Sequence, residues 1–432
     1  MRPDADVVNV QALLDVEVAL ATAEADVGVI PASCVNDIRA VAKAELFDVA
    51  ALHDEAERAG NLVIPLVRRL TEAVAAVNPE SARYVHYGAT SQDIIDTALV
   101  VQLRSTAPSV HDSLTRAIGS AAGMARRFAT APMVGRTLLQ HASPTTFGVK
   151  AAGWLDMLAR CRRRLGEAID GATVVQFGGA SGTLASFGDA GLAVAEAFAR
   201  VLSLSVPEMP WHTQRDRLAG VAAALGTTCG ALGKVGRDLT LLAQPEVGEA
   251  MEAPASGRGG SSSMPHKQNP VRAITAVRGA IRAPGLVATL LSAMPHEHER
   301  AAGAWHAEWE TMPELLRLTK ASADAVADAL ADLVVDTERM RRNLEGGGGV
   351  AMAEALSVAL AHHIARTDAM RLVERLSRAA EREGTRLRDA AAADSEVARW
   401  LTPSDLDRVL RPENYLGAAP AFVERVLQRW GV

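Results

Sequence analysis

Aromatic residues and cysteines are scarce in this sequence, and each scarcity excludes a class of structure. Phe, Trp and Tyr together make up 4% of the 432 residues. This composition disfavours a β-rich fold and favours helices packed through small side chains. The cysteines are odd in number and far apart, at Cys34, Cys161 and Cys229. They therefore encode neither a disulfide framework nor a CxxC metal site, and they fit a reducing cytosol.

An excess of positive charge is also missing. The formal net charge is -6 and the pI is near 6.0, whereas a nucleic-acid-binding protein needs a basic face to displace counterions. An anionic ligand would require local positive charge. The N-terminal segment lacks the apolar core of a signal peptide, and we expect no run of about 18 uncharged apolar residues that could span a membrane. The sequence therefore predicts a soluble, cytoplasmic protein without a membrane or nucleic-acid partner.

Hydrophobic periodicity predicts an all-α fold. Apolar residues form a heptad seam between residues 213 and 245 that five glycines interrupt. Each glycine costs about 1 kcal/mol relative to alanine, so we predict close approach of neighbouring helices there; a broken helix or a loop is the alternative. Long helices usually find partners in other subunits, so an oligomer is predicted. Further helical patterns cover residues 10–29, 107–130, 145–169, 271–293 and 305–342.

Breaks in these patterns predict three domains. Asn78 and Pro79 end the first set of helices, and the polar segment 84–96 is predicted to be a site loop. Four consecutive glycines at 346–349 end the last long helix and indicate a hinge. The predicted domains are an N-terminal helical domain (1–105), a central long-helix bundle (106–345) and a C-terminal helical domain (346–432).

The segment 256–270, SGRGGSSSMPHKQNP, is the most informative part of the chain. Its glycines and serines supply exposed N–H and O–H donors of the kind that bind a carboxylate or an oxyanion, and Lys267 adds a positive charge. A plain Gly/Ser linker is the alternative. A linker would need neither the MPHKQNP continuation nor the helix that starts directly after it.

GSSSMPHKQNP resembles the GSSxMPxKxNP signature of the fumarase/aspartase superfamily. The segments HYGATSQDIIDTA (86–98) and GRTLLQHASPTTFG (135–148) resemble its other two site regions, in the same order along the chain. Runs such as FGVKAAGWLDML (147–158) and PWHTQRDR (210–217) are similar to the bacterial 3-carboxy-cis,cis-muconate cycloisomerases. The resemblance implies a homotetramer with a long central helical bundle flanked by two smaller helical domains, active sites shared between subunits, and no cofactor.

The resemblance also implies an activity. Cycloisomerases of this branch lactonise a tricarboxylate in protocatechuate degradation, the β-ketoadipate pathway, through an aci-carboxylate intermediate. The alternative is another lyase of the superfamily that eliminates fumarate from a succinyl-type substrate, as adenylosuccinate lyases do. These usually carry a Tyr-Ser pair that holds a nucleotide phosphate, and no such pair occurs near this N-terminus. A catalytically silent binding protein is a third alternative, disfavoured by the intact signature.

Site residues follow from the same resemblance. Ser261 matches the base of superfamily eliminations, and Lys267 and Asn269 match the pair that binds a carboxylate. In the cycloisomerase branch Lys267, Trp154 and Arg300 are implied to be catalytic, and Arg300 can clamp a second carboxylate in bidentate fashion. Trp154 on its own would suggest core packing. The predicted catalytic residues are Lys267, Ser261, Trp154, Arg300 and His141, and the predicted substrate-binding residues are His86, Thr90, Ser91, Asn269 and Arg258.

The sequence departs from the superfamily pattern at Leu138. Many superfamily lyases carry Arg-Thr-His where this chain has Arg136-Thr137-Leu138, so the usual acid/base histidine is absent. His141 and His86 are the candidates to take part instead, and either could be a hydrogen-bonded structural residue. This departure favours a different proton route from that of a standard elimination.

The cluster HEHER at 296–300, together with His306 and Glu308, could suggest a metal. Its spacing is not HExxH, and on a helix His296 and His298 would point about 200° apart. We therefore predict no metal and interpret the cluster as a solvated or inter-subunit ion-pair face. Arg215 is a further positive group that could meet an anionic substrate.

Overall fold

The computed structural model describes residues 3–432, with side chains from residue 9 onward, and is mainly helical. The all-α prediction is confirmed. The helices are α1 (Pro3–Val27), α2 (Ala32–Val41), α3 (Val49–Ala59), α4 (Val63–Val77), α5 (Ser91–Arg127), α6 (Phe147–Ala172), α7 (Gly191–Leu202), α8 (Asp216–Leu242), α9 (Val271–Ala293), α10 (Ala304–Ala331), α11 (Thr337–Glu345), α12 (Ala353–Leu360), α13 (Arg366–Glu383), α14 (Leu387–Ala393), α15 (Pro403–Val409) and α16 (Ala419–Trp430).

Two small antiparallel sheets accompany the helices. Strands β1 (Pro132–Thr137) and β2 (Gln140–Thr146) form a hairpin, and β3 (Ala250–Glu252) pairs with β4 (Leu333–Val335). The second pair interrupts the predicted long helix over 305–342, which is therefore wrong as a single element. After β4 the Asp336 side chain accepts a hydrogen bond from the backbone N–H of Arg339 at 2.8 Å. This cap begins a separate helix, α11.

The chain divides into two compact units, each assembled from three stretches. The first comprises the chain up to His111 together with Arg163–Thr227 and Arg282–Thr319; the second comprises Asp112–Arg162, Thr228–Ile281 and Lys320–Val432. The boundaries fall inside α5, α6, α8, α9 and α10, so each of these helices belongs to both units. The division into three domains stays a prediction.

The glycines of α8 have different environments along one unbroken helix, which excludes the alternative of a loop. A Cβ placed on Gly233 would lie 2.1 Å from the Cβ of Ala280, and one on Gly236 would lie 2.6 Å from the carbonyl oxygen of Ala273. Here α8 and α9 approach so closely that only glycine fits. The predicted close approach is confirmed at these positions, whereas at Gly220 and Gly230 no described atom outside α8 lies within 4 Å of an added Cβ, and there it stays a prediction.

Two helices are apolar over a membrane-spanning length, although no 18-residue run in either is free of charged residues. Within the described residues, α8 and α9 each contain an 18-residue window apolar enough to cross a membrane, with no more than two charged side chains. Of these windows, 61% is buried in α8 and 22% in α9. The window in α8 is thus largely core, whereas most of that in α9 is exposed or only partly buried within the chain.

Glu24 is a fully buried carboxyl group on α1, in the first unit. Neither of its oxygens has a hydrogen-bond partner among the described side chains. Burial, followed by the nearby charge of Glu17, raises the pKa of Glu24 from 4.5 to about 9. Because the folded-state pKa is the higher one, Glu24 favours folding fully below pH 4.5, and this contribution is lost progressively as the pH rises towards about 9.

Glu24→Gln is therefore expected to stabilise the fold at pH 8 and to do so much less at pH 5. Glutamine keeps the shape without needing a proton, so the gain should grow by about 1.4 kcal/mol per pH unit. Urea denaturation at both pH values measures it. The exposed Glu196 of α7 supplies the control, Glu196→Gln. A Glu24→Gln effect of equal size at both pH values would contradict the assignment.

Candidate active site

The predicted signature loop lies between β3 and α9, in the second unit. The hydroxyl oxygen of Ser261 accepts hydrogen bonds from the backbone N–H groups of Met264 at 3.1 Å and Ser263 at 3.3 Å. Residues 262–268 are exposed, and no described residue forms an ion pair with the amine of Lys267. The loop therefore carries both an exposed lysine without a described ion-pair partner and a serine hydroxyl that caps its turn.

Asn269 closes this loop at its base. Its backbone N–H and its side-chain amide both donate to the carbonyl oxygen of Gly259, at 2.8 and 2.9 Å. Gly259 has φ +71°, and a Cβ there would lie 2.5 Å from the Asn269 carbonyl oxygen, so glycine is required. Arg258 donates to the carbonyl of Ala253 and lies 3.8 Å from the carboxylate of Asp332. Both predicted substrate-binding side chains thus also hold the loop's conformation.

Trp154 is buried on α6, and its indole Nε1 donates to Asp238 at 2.7 Å. Lys150 lies one helical turn before it. Burial lowers the pKa of Lys150, and the Asp238 carboxylate offsets only part of that effect. Trp154 therefore packs in the core and also donates a hydrogen bond to the carboxylate of Asp238. Lys150 was not among the predicted site residues, although its spacing of four residues from Trp154 places both on one helix face.

Arg136, the first residue of the Arg-Thr-Leu departure, has a structural partner. Both of its terminal nitrogens donate to the carboxylate of Glu249, each at 2.8 Å. Asn343 donates to the same carboxylate at 2.8 Å. This bidentate pair fixes β1, on which Arg136 lies, and Glu249, which directly precedes β3.

The hairpin of β1 and β2 turns at Leu138 and Leu139. Their φ angles are 51° and 65°, a left-handed conformation that in two-residue hairpin turns favours asparagine and glycine. Both leucines project into solvent, 96% and 77% exposed. His141 pairs with Arg136 in the register of the hairpin and is exposed. No described residue hydrogen-bonds its ring, so the alternative of a hydrogen-bonded structural histidine is not supported.

In the first unit, α5 begins at Ser91, so the prediction of a loop over 84–96 is wrong for residues 91–96. Asp93 explains the helix start, because its carboxylate accepts from the backbone N–H of Thr90 at 3.0 Å. The same carboxylate accepts from the N–H groups of Gly178 and Gly179, both at 2.9 Å, and lies 2.8 Å from Nε2 of His212. These bonds fix the half-buried Thr90 and the helix start that follows it.

Arg300 contacts the first turn of this helix. Its Nε donates to the side-chain oxygen of Gln92 at 3.1 Å, and one terminal nitrogen donates to the carbonyl of Ala180 at 3.2 Å. Gln92 directly follows Ser91. The first unit therefore joins the guanidinium of Arg300 to a side chain of the helix turn that Thr90 and Ser91 begin, and charge and hydroxyl groups together are suited to a carboxylate.

Arg215 is not available to a substrate, and that expectation is wrong. It is buried and bonds the carboxylates of Asp96 and Glu308. Burial alone would lower the pKa of Arg215, but the two carboxylates raise it, so the group stays charged. His296 lies 3.4 Å from Glu308 with its side chain fully buried. The interpretation of these residues as a solvated or inter-subunit face is therefore wrong for His296 and Glu308.

His86 precedes α5 and has φ +57°. Its Nδ1 lies 2.7 Å from the Oε1 atom of Glu17 on α1. Burial by itself would lower the pKa of His86, but the charge and hydrogen bond of Glu17, and the charge of Asp93, outweigh it and raise that pKa. The predicted substrate-binding histidine thus has a carboxylate partner that the sequence analysis did not identify.

Comparison with known proteins agrees with this arrangement. A family described as "Lyase" matches residues 4–285, and a second, described as "Adenylosuccinate lyase C-terminus", matches residues 349–426. The chain belongs to the fumarase/aspartase superfamily. The first match covers all of the predicted catalytic and substrate-binding residues except Arg300, which lies between the two matched regions.

Relatives of this superfamily member include named enzymes. The 3-carboxy-cis,cis-muconate cycloisomerase of Pseudomonas aeruginosa is 50% identical over 419 residues, 97% of this chain and 91% of the relative. The structure of the 3-carboxy-cis,cis-muconate lactonizing enzyme of Pseudomonas putida matches with a TM-score of 0.91 and 45% identity, over 98% of this chain and 95% of that one. Nitrosuccinate lyase of Streptomyces davaonensis is 40% identical over 96% of this chain and 89% of its own.

Proposed function

We propose that this chain is a cycloisomerase that lactonises 3-carboxy-cis,cis-muconate to 4-carboxymuconolactone in protocatechuate degradation, in the cytoplasm and without a cofactor. The observation that carries the proposal is its 50% identity, over nearly its whole length, to a relative of that name. Lys267, which is exposed and forms no ion pair with a described residue, and the guanidinium of Arg300, which bonds Gln92, support it, because a tricarboxylate needs several positive groups.

The reaction adds a carboxylate to a conjugated double bond. One substrate carboxylate oxygen forms a C–O bond, the π-electron pair moves to the adjacent carbon, and negative charge spreads over the carboxylate attached there. We propose that Lys267 and Asn269 stabilise this aci-carboxylate and that Arg300, with His86, Thr90, Ser91 and Arg258, holds the remaining carboxylates. Trp154, Ser261 and His141 complete the proposed site.

The experiment is an ultraviolet assay that follows loss of the conjugated diene of 3-carboxy-cis,cis-muconate. Rapid loss is expected with the intact protein. The second candidate is a lyase of a succinyl-type substrate, which the relative named nitrosuccinate lyase favours. Such a lyase would release fumarate, whose absorbance rises on mixing with nitrosuccinate or another succinyl compound. An inert diene together with fumarate release would select this candidate.

We further propose that the protein is a homotetramer with active sites shared between subunits. The apolar face of α9 supports an oligomer, because Ile274, Ile281 and Leu291 are 49%, 70% and 48% exposed along it. The hairpin tip at Leu138 and Leu139 is a second exposed apolar feature, and its left-handed backbone is a strain that proteins retain at functional contacts. Both features would lose their exposure to water in an assembly.

Ile281→Asp is expected to dissociate the proposed oligomer, since an aspartate in an apolar interface leaves a buried, unpaired charge. Sedimentation velocity should show a smaller species than the intact protein at equal concentration. Met370→Asp is the control. Met370 is also exposed, but it lies on α13 among charged residues such as Arg371 and Glu374 and not on an apolar face. An Ile281→Asp variant that sediments like the intact protein would exclude this face from the interface.

A further inference from the structure

The carboxylate of Glu17 is committed to a single partner. Its side chain is 1% exposed, and Oε1 lies 2.7 Å from Nδ1 of His86. The other oxygen, Oε2, is buried without a hydrogen-bond partner among the described side chains. An ionised carboxylate in such surroundings is stable only beside a positive charge. The imidazole of His86 can supply that charge by holding a proton.

The backbone and the Nδ1 atom of His86 are both held in place, whereas its Nε2 atom has no described partner. Its backbone adopts φ +57°, an uncommon conformation for a residue other than glycine, which persists where the surroundings over-determine it. Nδ1 is held by Glu17. Nε2 forms no hydrogen bond with any described residue and is not among the buried polar atoms, while 17% of the side chain is exposed. The free nitrogen is therefore open to a ligand.

We infer that Glu17 is a positioning residue that keeps His86 protonated with Nε2–H directed outward, and that His86 delivers the proton that lactonisation requires. The inference rests on the proposed function. When the C–O bond has formed, the adjacent carbon carries the displaced electron pair and takes the proton from Nε2. The ring becomes neutral and regains a proton from solvent. The trianionic substrate and one proton thus give a dianionic lactone.

The charges around His86 support this role. Glu17 faces it from α1 and Asp93 from α5, and Asp93 is itself paired with His212. Burial opposes the charged form, but the two carboxylates prevail, so the pKa of His86 lies above its ordinary value. The protonated form of His86 is therefore favoured over that of a free imidazole. The proton that it donates is lost as the pH rises through that pKa, so activity should fall on the alkaline side.

Glu17→Gln tests the pair, because glutamine keeps a hydrogen-bonding oxygen and removes the charge. We expect kcat at pH 8 to fall about 100-fold with little change in KM, and the alkaline limb of the kcat profile to move to lower pH. Glu17→Asp should restore part of the loss. Glu24→Gln is the matched control, since it makes the same change two turns along α1 at a group that is already neutral at pH 8.

A second readout does not depend on turnover. Diethyl pyrocarbonate modifies neutral imidazole, so the modification rate of His86, mapped by mass spectrometry across pH, reports the pKa of this residue. The pH at which modification is half-maximal should be lower in Glu17→Gln and unchanged in Glu24→Gln. Unshifted modification would overturn the pairing, and a shifted modification profile with an unshifted kcat limb would overturn the proton transfer. An intact protein that shows the shift but never consumes the diene would instead refute the proposed function.

Discussion

Arg215→Met is expected to lower the free energy of unfolding by about 3–5 kcal/mol, because it leaves two buried carboxylates without their cation. Arg215 donates to Asp96 at 3.0 Å and to Glu308 at 3.1 Å. All three side chains are almost fully buried. Trp305 adds an indole N–H to Asp96 at 3.1 Å, but a neutral donor cannot replace the guanidinium. This loss is a large fraction of the stability of a typical protein.

The measurement is urea denaturation at fixed protein concentration, since assembly contributes to stability. Arg282→Met is the matched control in the same unit. Arg282 also pairs with a carboxylate, that of Glu314, but its side chain is 53% exposed, so its loss should change the free energy by less than about 1 kcal/mol. Equal effects of the two variants would mean that water or protons reach Asp96 and Glu308, and that the buried network is not as described.

Lys267→Met is expected to reduce kcat/KM for the proposed substrate by about 100- to 1000-fold, the range found when one group that stabilises a developing oxyanion is removed. The side chain is exposed on the signature loop, so folding should be unaffected and thermal unfolding should match that of the intact protein. The loss should appear mainly in kcat if Lys267 acts on the aci-carboxylate rather than on the bound substrate.

Lys43→Met provides the control for this loss, since it removes the same charge from an exposed lysine outside the loop. It should leave kcat/KM unchanged. Lys267→Met with activity within tenfold of the intact protein would exclude this lysine from the chemistry. Loss of activity accompanied by a lower unfolding temperature would indicate a structural role instead.

Long helices with regular apolar spacing were predictable from sequence. The pattern over 271–293 coincides with α9, and the heptad seam over 213–245 with α8 (Asp216–Leu242). Interruptions were less accessible. The strand β4 between α10 and α11 forms by pairing with β3, which lies more than 80 residues earlier in the chain. The apolar periodicity of one segment cannot reveal a partner strand that is so distant in sequence.

Partners of the site residues were the least predictable feature. Glu17 and His86 are 69 residues apart, and Arg215 and Asp96 are 119 apart. Sequence motifs singled out His86 and Arg300, whose roles stay predictions, and suggested that Arg215 was free to meet a substrate. Only the fold shows that Asp96 and Glu308 neutralise it. A charge in a sequence becomes a binding group or a structural group according to which distant side chains surround it.

The proposed reaction itself is tested most directly by one measurement, the absorbance of 3-carboxy-cis,cis-muconate mixed with the intact protein. The proposal predicts rapid loss of the diene absorbance and formation of a lactone, identified by mass spectrometry and NMR. A stable diene in the presence of correctly folded, assembled protein would contradict the cycloisomerase activity, while leaving membership of the superfamily intact.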